Sequence, residues 1–342
     1  ESVHRHGERF AILVPVVQFV ACSAVVVLAG VFLTRCATII ADRTALGRLL
    51  TGSILLAGAT SLPELTVDMA AAWRGLPDLA VGGLIGSSLF NLLILAVLDL
   101  ARPTSGRMLS YAYSAHALFG VMSMLLTGLV ALFIMLRLEL SLGPIGIGGV
   151  LVGGVYFLGI RVVYSNRRVT MGSPPVNEPP DAEPTSTSLG RAIAGYAVAA
   201  ATICAMAPFV ASSAGAIADH TGLGDTFVGT TLVALATSLP EIITTATAVR
   251  LGAFDLAVGN IFGSNAFNMV LILPVDAVSG GDILSVVSTT HVVTCLWTIV
   301  VTAVAVIGQL YRVERRVMFL EPDATMVIAL VLAALVTVYL LR

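Results

Sequence analysis

The chain has 342 residues, of which 57% are hydrophobic and 11% are charged, and its mean hydropathy is +0.98. Soluble domains carry about 25% charged residues, so this composition excludes an ordinary soluble fold and predicts an integral membrane protein. The formal net charge of −2 gives no indication of a nucleic-acid partner, and we expect none.

Roughly ten apolar stretches approach or exceed the length of about 20 residues that a transmembrane helix needs. In chain order they run over 11–33, 45–72, 79–98, 115–136, 142–164, 190–217, 226–249, 256–275, 291–310 and 324–341. Their apolar residues are continuous rather than alternating, which favours helices over the strands of a membrane barrel. We interpret the first stretch as a membrane span and not as a leader, because it has a counterpart later in the chain. The predicted fold class is an all-α integral membrane protein.

The two halves of the chain repeat each other at an offset of 177 residues. Glu64 aligns with Glu241 and Asn91 with Asn268, and over 42–99 about 25 of the 58 aligned pairs are identical. Chance matches among small apolar residues do not keep carboxylates, prolines and asparagines in register, so we infer an internal duplication. Each half holds about five spans, and an odd number makes the second half enter the membrane from the opposite side. The sequence therefore predicts two inverted-topology five-helix repeats, which are typical of secondary transporters.

The predicted domains are a first repeat over 1–164 (spans 1–5), a cytoplasmic linker over 165–188 and a second repeat over 189–342 (spans 6–10). The linker contains SPPVNEPPDAEPTSTS, which has no apolar face and is typical of a flexible tether. With ten spans, one side of the membrane receives five of the 18 basic residues, namely Arg5, Arg9, Arg74, Arg137 and Arg342. The positive-inside rule then places both termini outside and the linker in the cytoplasm, in a plasma (inner) membrane.

Each repeat carries the string Thr-Ser-Leu-Pro-Glu inside an apolar span. A charged side chain at the bilayer centre costs about 2.5–3.5 kcal/mol, and no Arg lies within a turn of Glu64 or Glu241. A transported cation or a proton is therefore the expected partner of each carboxylate. The proline before each glutamate removes a helical N–H and frees carbonyl oxygens of the preceding turn. Carboxylate, hydroxyl and carbonyl oxygens together suit hard cations such as Ca²⁺ and Na⁺.

A second motif follows each Glu motif, as GSSLFN at 86–91 and GSNAFN at 263–268. Its Ser and Asn are four residues apart and so lie on one helical face. Glycines at the same spacing permit close helix packing. Hydrogen bonding between helices is the alternative role for the polar side chains. Because both motifs recur together, we interpret them as parts of one site.

The paired TSLPE and GSxxFN motifs resemble the two α-repeats of the cation/Ca²⁺ antiporter superfamily, specifically its sodium/calcium exchanger branch. They cover spans 2–3 and 7–8, and the ten-span inverted layout extends the resemblance along the chain. The resemblance implies a secondary active antiporter that exchanges Ca²⁺ for Na⁺ across a membrane by alternating access. It implies a membrane transporter rather than an enzyme, with no cofactor beyond the transported ions, and with spans 1 and 6 as a sliding gate. We expect the lipid bilayer as its surroundings and a monomeric chain.

The resemblance also implies a set of cation ligands. The shared ligands of Ca²⁺ and the counter-ion are Glu64 and Glu241, with Thr60 and Thr237 binding through carbonyl and hydroxyl oxygens. Flanking Na⁺ sites use Ser61, Ser238, Ser87, Ser264 and the carbonyls of Ala57 and Ala234. The centre is closed by Asn91 and Asn268.

Two residues leave the ion selectivity open. Many members of that family carry Asp at the position of Asn268, so this central site has fewer negative charges than theirs. Asp68 lies four residues after Glu64 on the same helical face. We expect Asp68 to be a solvated residue towards the end of span 2; the alternative is that it restores the missing charge or lines the access path.

Other functions remain open at this point. The first is an H⁺-coupled antiporter of Ca²⁺ or another divalent cation, with the two glutamates as proton carriers. Two different classes are a passive cation channel and an intramembrane hydrolase, although no catalytic spacing accompanies the carboxylates. We expect Asp99 and Asp276 to end spans 3 and 8 facing the membrane interface, and His116 and His291 to be interfacial.

Overall fold

The computed structural model describes residues 2–44, 47–101, 114–165, 187–220, 236–311 and 322–341. Within these ranges the chain is helical apart from turns and one antiparallel hairpin, formed by β1 (Ser141–Leu142) and β2 (Ile145–Gly146). The first repeat contains α1 (Ser2–Arg43), α2 (Gly47–Leu50), a π-helix (Thr51–Leu56), α3 (Ala57–Thr60), α4 (Leu62–Trp73), α5 (Pro77–Leu100), α6 (Ser114–Leu136) and α7 (Ile147–Ser165). The second contains α8 (Leu189–His220), α9 (Leu239–Arg250), α10 (Phe254–Val270), α11 (Ile272–Ser279), α12 (Ile283–Val286), α13 (Thr290–Tyr311) and α14 (Pro322–Leu340).

The lengths and the apolar composition of the described helices agree with an integral membrane protein. Seven continuous spans are long and apolar enough to cross a bilayer, in α1, α5, α6, α8, α10 with α11, α13 and α14. The bent segment of the π-helix, α3 and α4 makes an eighth. The apolar part of α7, Ile147–Val163, is shorter, and the first half of predicted span 7 lies outside the described residues. By length and composition the structure therefore shows up to eight spans, where the sequence predicts about ten.

The duplication is visible in the local backbone. Helices α4 and α9 both have 12 residues and begin and end at aligned positions. Each is followed by a tight turn with a glycine in the left-handed region, Gly75 at φ 72° and its aligned mate Gly252 at φ 70°. A side chain is strained at such a φ, which explains why both repeats keep glycine there. The two hairpins α4–α5 and α9–α10 are thus copies of one element.

The hairpins lie at the centre of the helix bundle. Helix α10 with α11 is almost entirely buried and packs against the π-helix, α5 and α6. Helices α1 and α8 pack along each other at the periphery and leave most of their apolar surface uncovered. Exposed side chains there include Leu28 and Val198. In water such surfaces would favour association, whereas in a bilayer they face lipid tails of the same polarity.

Two aligned aspartates are paired with histidines. Asp78 and Asp255 stand in the first turns of α5 and α10, and each Oδ1 lies 3.0 Å from a histidine Nε2, that of His291 and His116 respectively. His116 is 1% exposed, so it is buried rather than interfacial. The two copies of the hairpin are therefore tied to α13 and α6 by equivalent contacts.

Asp99 and Asp276 are also buried, which corrects the expectation that they face the membrane interface. Asp276 accepts hydrogen bonds from the backbone N–H groups of Gly146 (3.1 Å) and Ile283 (2.8 Å). A carboxylate that receives two backbone donors satisfies groups that would otherwise be orphaned inside the protein. Asp276 thus fastens the β-hairpin and α12 to the end of α11.

Candidate cation-binding site

The TSLPE motif breaks a membrane span in the first repeat, and in the second repeat it precedes a helix of the same length. Span 2 consists of the π-helix, α3 and α4, and it bends by 44° at Ser61. Ser61 (φ −85°, ψ −2°) and its mate Ser238 (φ −82°, ψ 6°) have the same backbone conformation, and a proline lies in the first turn of the helix that follows each. Because proline has no N–H, the carbonyl four residues earlier loses its helical donor. The motif therefore accounts for the break in span 2, and the second copy has the same backbone conformation at the aligned serine, while the part of span 7 before residue 236 lies outside the described residues.

The break places each glutamate in the first turn of the second half-helix, Glu64 in α4 and Glu241 in α9. The negative, carbonyl-bearing end of α3 points towards the same break. In broken membrane helices such carbonyl ends coordinate cations, while irregular backbone is tolerated because it lines a cavity or lies within protein. Carboxylate and carbonyl oxygens are thus concentrated at one depth in the bundle.

The two glutamates approach each other across the repeats. Glu64 is 3% exposed and Glu241 is 0% exposed. The Ser238 hydroxyl lies near the Glu64 carboxylate and the Thr60 hydroxyl near that of Glu241, although neither contact has the geometry of a hydrogen bond, and the two carboxylates are within electrostatic range of each other. Each acid therefore lies near the hydroxyl segment of the opposite sequence repeat.

No cation of the protein neutralises this pair within the described residues. The ion pairs found there join Arg48 to Asp42 and the two histidines to their aspartates. Several buried oxygens at the site lack a hydrogen-bond partner: Glu64 Oε2, both carboxylate oxygens of Glu241, Ser61 Oγ, Ser238 Oγ, Ser264 Oγ, Asn91 Oδ1 and Asn268 Oδ1. Buried polar atoms are nearly always partnered, so this concentration of free acceptors indicates a ligand.

Asparagines connect the repeats around the acids. Asn91 donates from Nδ2 to Asn265 Oδ1 at 3.0 Å, and Asn265 donates from its own Nδ2 to the Ser88 carbonyl at 3.0 Å. Ser88 and Asn265 are aligned mates, so this hydrogen bond joins equivalent positions of the two sequence repeats. Because its Nδ2 is engaged, Asn91 keeps Oδ1 free for another partner.

Glycines bring the second hairpin against the broken span. A Cβ added at Gly263 would lie 2.3 Å from the Ser53 carbonyl oxygen, and one added at Gly52 would lie 2.8 Å from that of Leu256. Such distances leave no room for a side chain, so α10 and the π-helix touch backbone to backbone. Close approach of this kind is the usual role of small residues between membrane helices.

The structure buries all but one of the predicted ligands. These are Glu64, Glu241, Thr60, Thr237, Ser61, Ser238, Ala57, Ser87, Ser264, Asn91 and Asn268. Ala234 lies outside the described residues, and most of the linker 165–188 does as well. Asp68 is 4% exposed, so the expectation of a solvated residue is wrong: α4 turns its Glu64 face, which includes Asp68, towards α5 rather than towards water.

Asn260 and Asn265 were not among the residues predicted from the sequence. Asn260 accepts from the Thr60 hydroxyl at 3.5 Å and donates to the hydroxyls of Thr244 (3.2 Å) and Thr245 (3.0 Å). Both asparagines occupy positions where the repeats differ, opposite Gly83 and Ser88. Within this segment they are the two positions at which a small residue of the first repeat is replaced by asparagine, and that replacement was the available signal.

The described residues contain no group of three His, Cys, Asp or Glu side chains that could hold a metal. A cation at this site would therefore be held by the two glutamates together with hydroxyl, amide and carbonyl oxygens. Such a set suits a cation that is bound and released, since Ca²⁺ accepts six to eight oxygen ligands of mixed type.

Comparison with known proteins places these features in a family. The model of the family described as sodium/calcium exchanger protein matches residues 14–164 and 191–342. The chain is 29% identical over 247 residues to the putative antiporter CaxA of Alkalimonas amylolytica, covering 71% of this chain and 73% of CaxA. It is 30% identical over 245 residues to the inner membrane protein YrbG of Escherichia coli, covering 69% of this chain and 71% of YrbG. A solved structure of the sodium-calcium exchanger NCX_Mj has the same fold, with a TM-score of 0.69 at 18% identity over 95% of this chain and 99% of the other.

Proposed function

Because the chain belongs to the sodium/calcium exchanger family, as its motifs predicted, we propose that it is a secondary active antiporter that exchanges Ca²⁺ for Na⁺ by alternating access. One observation carries the proposal. Two buried glutamates from opposite repeats face each other with free oxygens and with no protein cation beside them in the described part of the chain. Two carboxylates neutralise one divalent cation, which removes the cost of burying their charge in a membrane.

In this mechanism Glu64 and Glu241 are shared by Ca²⁺ and by the ions that replace it. Thr60 and Thr237 add hydroxyl and carbonyl oxygens. Flanking Na⁺ positions use Ser61, Ser238, Ser87, Ser264 and the carbonyls of Ala57 and Ala234, and the centre is closed by Asn91 and Asn268. Competition for the same glutamates couples the two fluxes, because the site binds Ca²⁺ or its counter-ions but not both sets at once.

We further assign the two repeats, 1–164 and 189–342, opposite orientations in the membrane, with the linker cytoplasmic and both termini outside. The inverted relation is supported by the exchanged contacts at the glutamates, and the plasma (inner) membrane by the arginine distribution. Helices α1 and α8 would act as the gate that slides over the central hairpins. Tyr196 of α8 donates a hydrogen bond to the carbonyl of Leu55 in the π-helix, which gives the gate a direct contact with the broken span. The chain would act as a monomer, since each copy contains a complete site.

The test is Ca²⁺ uptake into proteoliposomes of purified protein under an imposed outward Na⁺ gradient, and separately under a pH gradient of the same driving force. Uptake driven by Na⁺ and insensitive to the pH gradient supports the proposal. Uptake driven by the pH gradient alone would establish an H⁺-coupled antiporter, and downhill Ca²⁺ flux without a counter-ion would establish a channel. Either result would overturn the Na⁺-coupled mechanism.

A further inference from the structure

A third carboxylate lies on the same helical face as Glu64. Asp68 and Ala72 follow Glu64 at intervals of four residues along α4, and all three are at most 5% exposed. Four helical residues rise about 6 Å, so Asp68 lies about one turn from Glu64 along the span. It experiences the charge of Glu64, and its Oδ2 has no hydrogen-bond partner among the described residues.

This face of α4 leads from the glutamates to a cleft at one end of the bundle. Ala72 lines the cleft, which has a volume of about 480 Å³ and also carries the carboxylates of Glu139 and Asp282. Burial raises the pKa of Asp282, which lies outside the membrane spans, although hydrogen bonds from the N–H groups of Leu284 and Ser285 oppose the shift. Asp68 therefore stands between an acidic opening and the central site.

The two repeats differ at the positions of Asp68 and Gly83, and the difference makes room for the Asp68 carboxyl group. A Cβ at Gly83 of α5 would lie 2.3 Å from Asp68 Oδ1, so the carboxylate fills the space that a side chain would need. The aligned pair in the second repeat is Thr245 and Asn260, joined by a hydrogen bond of 3.0 Å. One repeat thus has two neutral side chains that hydrogen-bond to each other, where the other has a buried carboxyl group whose Oδ2 lacks a partner among the described residues.

We propose that Asp68 and Glu64 form a second cation position, which holds one Na⁺ on the path between the central site and the cleft. The inference rests on the proposed exchange function and adds the residue that sets the number of counter-ions. In the Na⁺-loaded state the third carboxylate takes one monovalent cation in addition to those at the two glutamates. Ca²⁺, which needs only the two glutamates for neutralisation, replaces the whole set. Asp68 supplies on α4 the third negative charge that the central pair of asparagines does not.

The test compares Asp68→Asn with the double variant Asp68→Thr plus Gly83→Asn, which copies the pair of the second repeat and so keeps a packing that this fold already contains. Asp42→Asn is the matched control, because it makes the same chemical change at an exposed position. The thermal stability of purified protein is measured against Na⁺ concentration without Ca²⁺. The slope of stability against the logarithm of Na⁺ concentration reports the number of ions bound.

The wild type and Asp42→Asn should share one slope, and both Asp68 variants should bind about one Na⁺ fewer. In proteoliposomes the same variants should move one elementary charge fewer per Ca²⁺. Unchanged slopes in both Asp68 variants, or a slope that responds to pH in place of Na⁺, would overturn the assignment. If the wild type shows no Na⁺-driven Ca²⁺ flux, the exchange proposal fails by itself, while the binding slope still decides the role of Asp68.

Discussion

Replacing Gly263 by alanine should destabilise the protein, because α10 and the π-helix touch backbone to backbone at this residue. In Gly263→Ala the new methyl group would meet three backbone atoms of Ser53, at 2.3, 2.5 and 2.7 Å. Favourable contacts between heavy atoms lie near 3.5–4.0 Å, so α10 and the π-helix must separate by about 1 Å. Overpacking a protein interior costs about 1–3 kcal/mol of unfolding free energy. Because backbone atoms, unlike a side chain, cannot rotate away from the new methyl group, we expect a cost near the upper end of this range.

Alanine also gains about 0.5–1 kcal/mol over glycine inside a helix, which leaves a net destabilisation of about 2 kcal/mol. Gly154→Ala is the matched control, because Gly154 is exposed in α7 and a Cβ there meets nothing within 4 Å. The assay is the melting temperature of detergent-purified protein. Gly263→Ala should melt several degrees below the wild type and Gly154→Ala at or above it. Equal melting temperatures for the two variants would refute the argument that the hairpin touches the π-helix backbone to backbone.

Three further predictions concern the buried polar groups. Glu64→Gln and Glu241→Gln should each reduce Ca²⁺ uptake to the level of empty liposomes while the protein still folds, because the amide keeps the shape and removes the charge; transport at the wild-type rate in either variant would exclude that residue as a ligand. Asp276→Asn should cost about 1–3 kcal/mol of unfolding free energy in a denaturation titration, because the two backbone N–H groups reach different carboxylate oxygens and the amide replaces one of these oxygens by an NH₂ donor, which leaves one N–H unpaired; an unchanged midpoint would contradict this role. His116→Asn should destabilise more than His291→Asn in the same titration, since both members of the first pair are less exposed (1% and 28%) than those of the second (15% and 59%), and the reverse order would disprove the comparison.

The backbone around the two glutamates could be predicted from the sequence, because the motif occurs twice and each copy can be compared with the other. The proline before Glu64 and Glu241 dictates a break, and the structure shows the same backbone at Ser61 and Ser238. Composition predicted the helical membrane class for an equally direct reason, since the apolar stretches have no other place to be buried.

The environment of Asp68 could not be derived in the same way. Helical spacing puts it on the Glu64 face, but whether that face meets water or protein depends on how α4 packs against α5. Asp99 and Asp276 were misjudged for the same reason, because a carboxylate at the end of a span is exposed unless loop backbone, such as the N–H groups of Gly146 and Ile283, folds over it. Contacts between residues distant in sequence decide such cases, and no local pattern reports them.

The central claim is that one cation is held between Glu64 and Glu241. Crystals of the protein soaked in Sr²⁺, an anomalous scatterer that can replace Ca²⁺, test it directly. The account predicts one strong anomalous peak within about 2.3–2.6 Å of oxygens from both glutamates, the range of Ca²⁺–oxygen distances, and its loss when Na⁺ replaces Sr²⁺. A peak elsewhere, or two glutamates each bonded to protein donors with no peak between them, would contradict it.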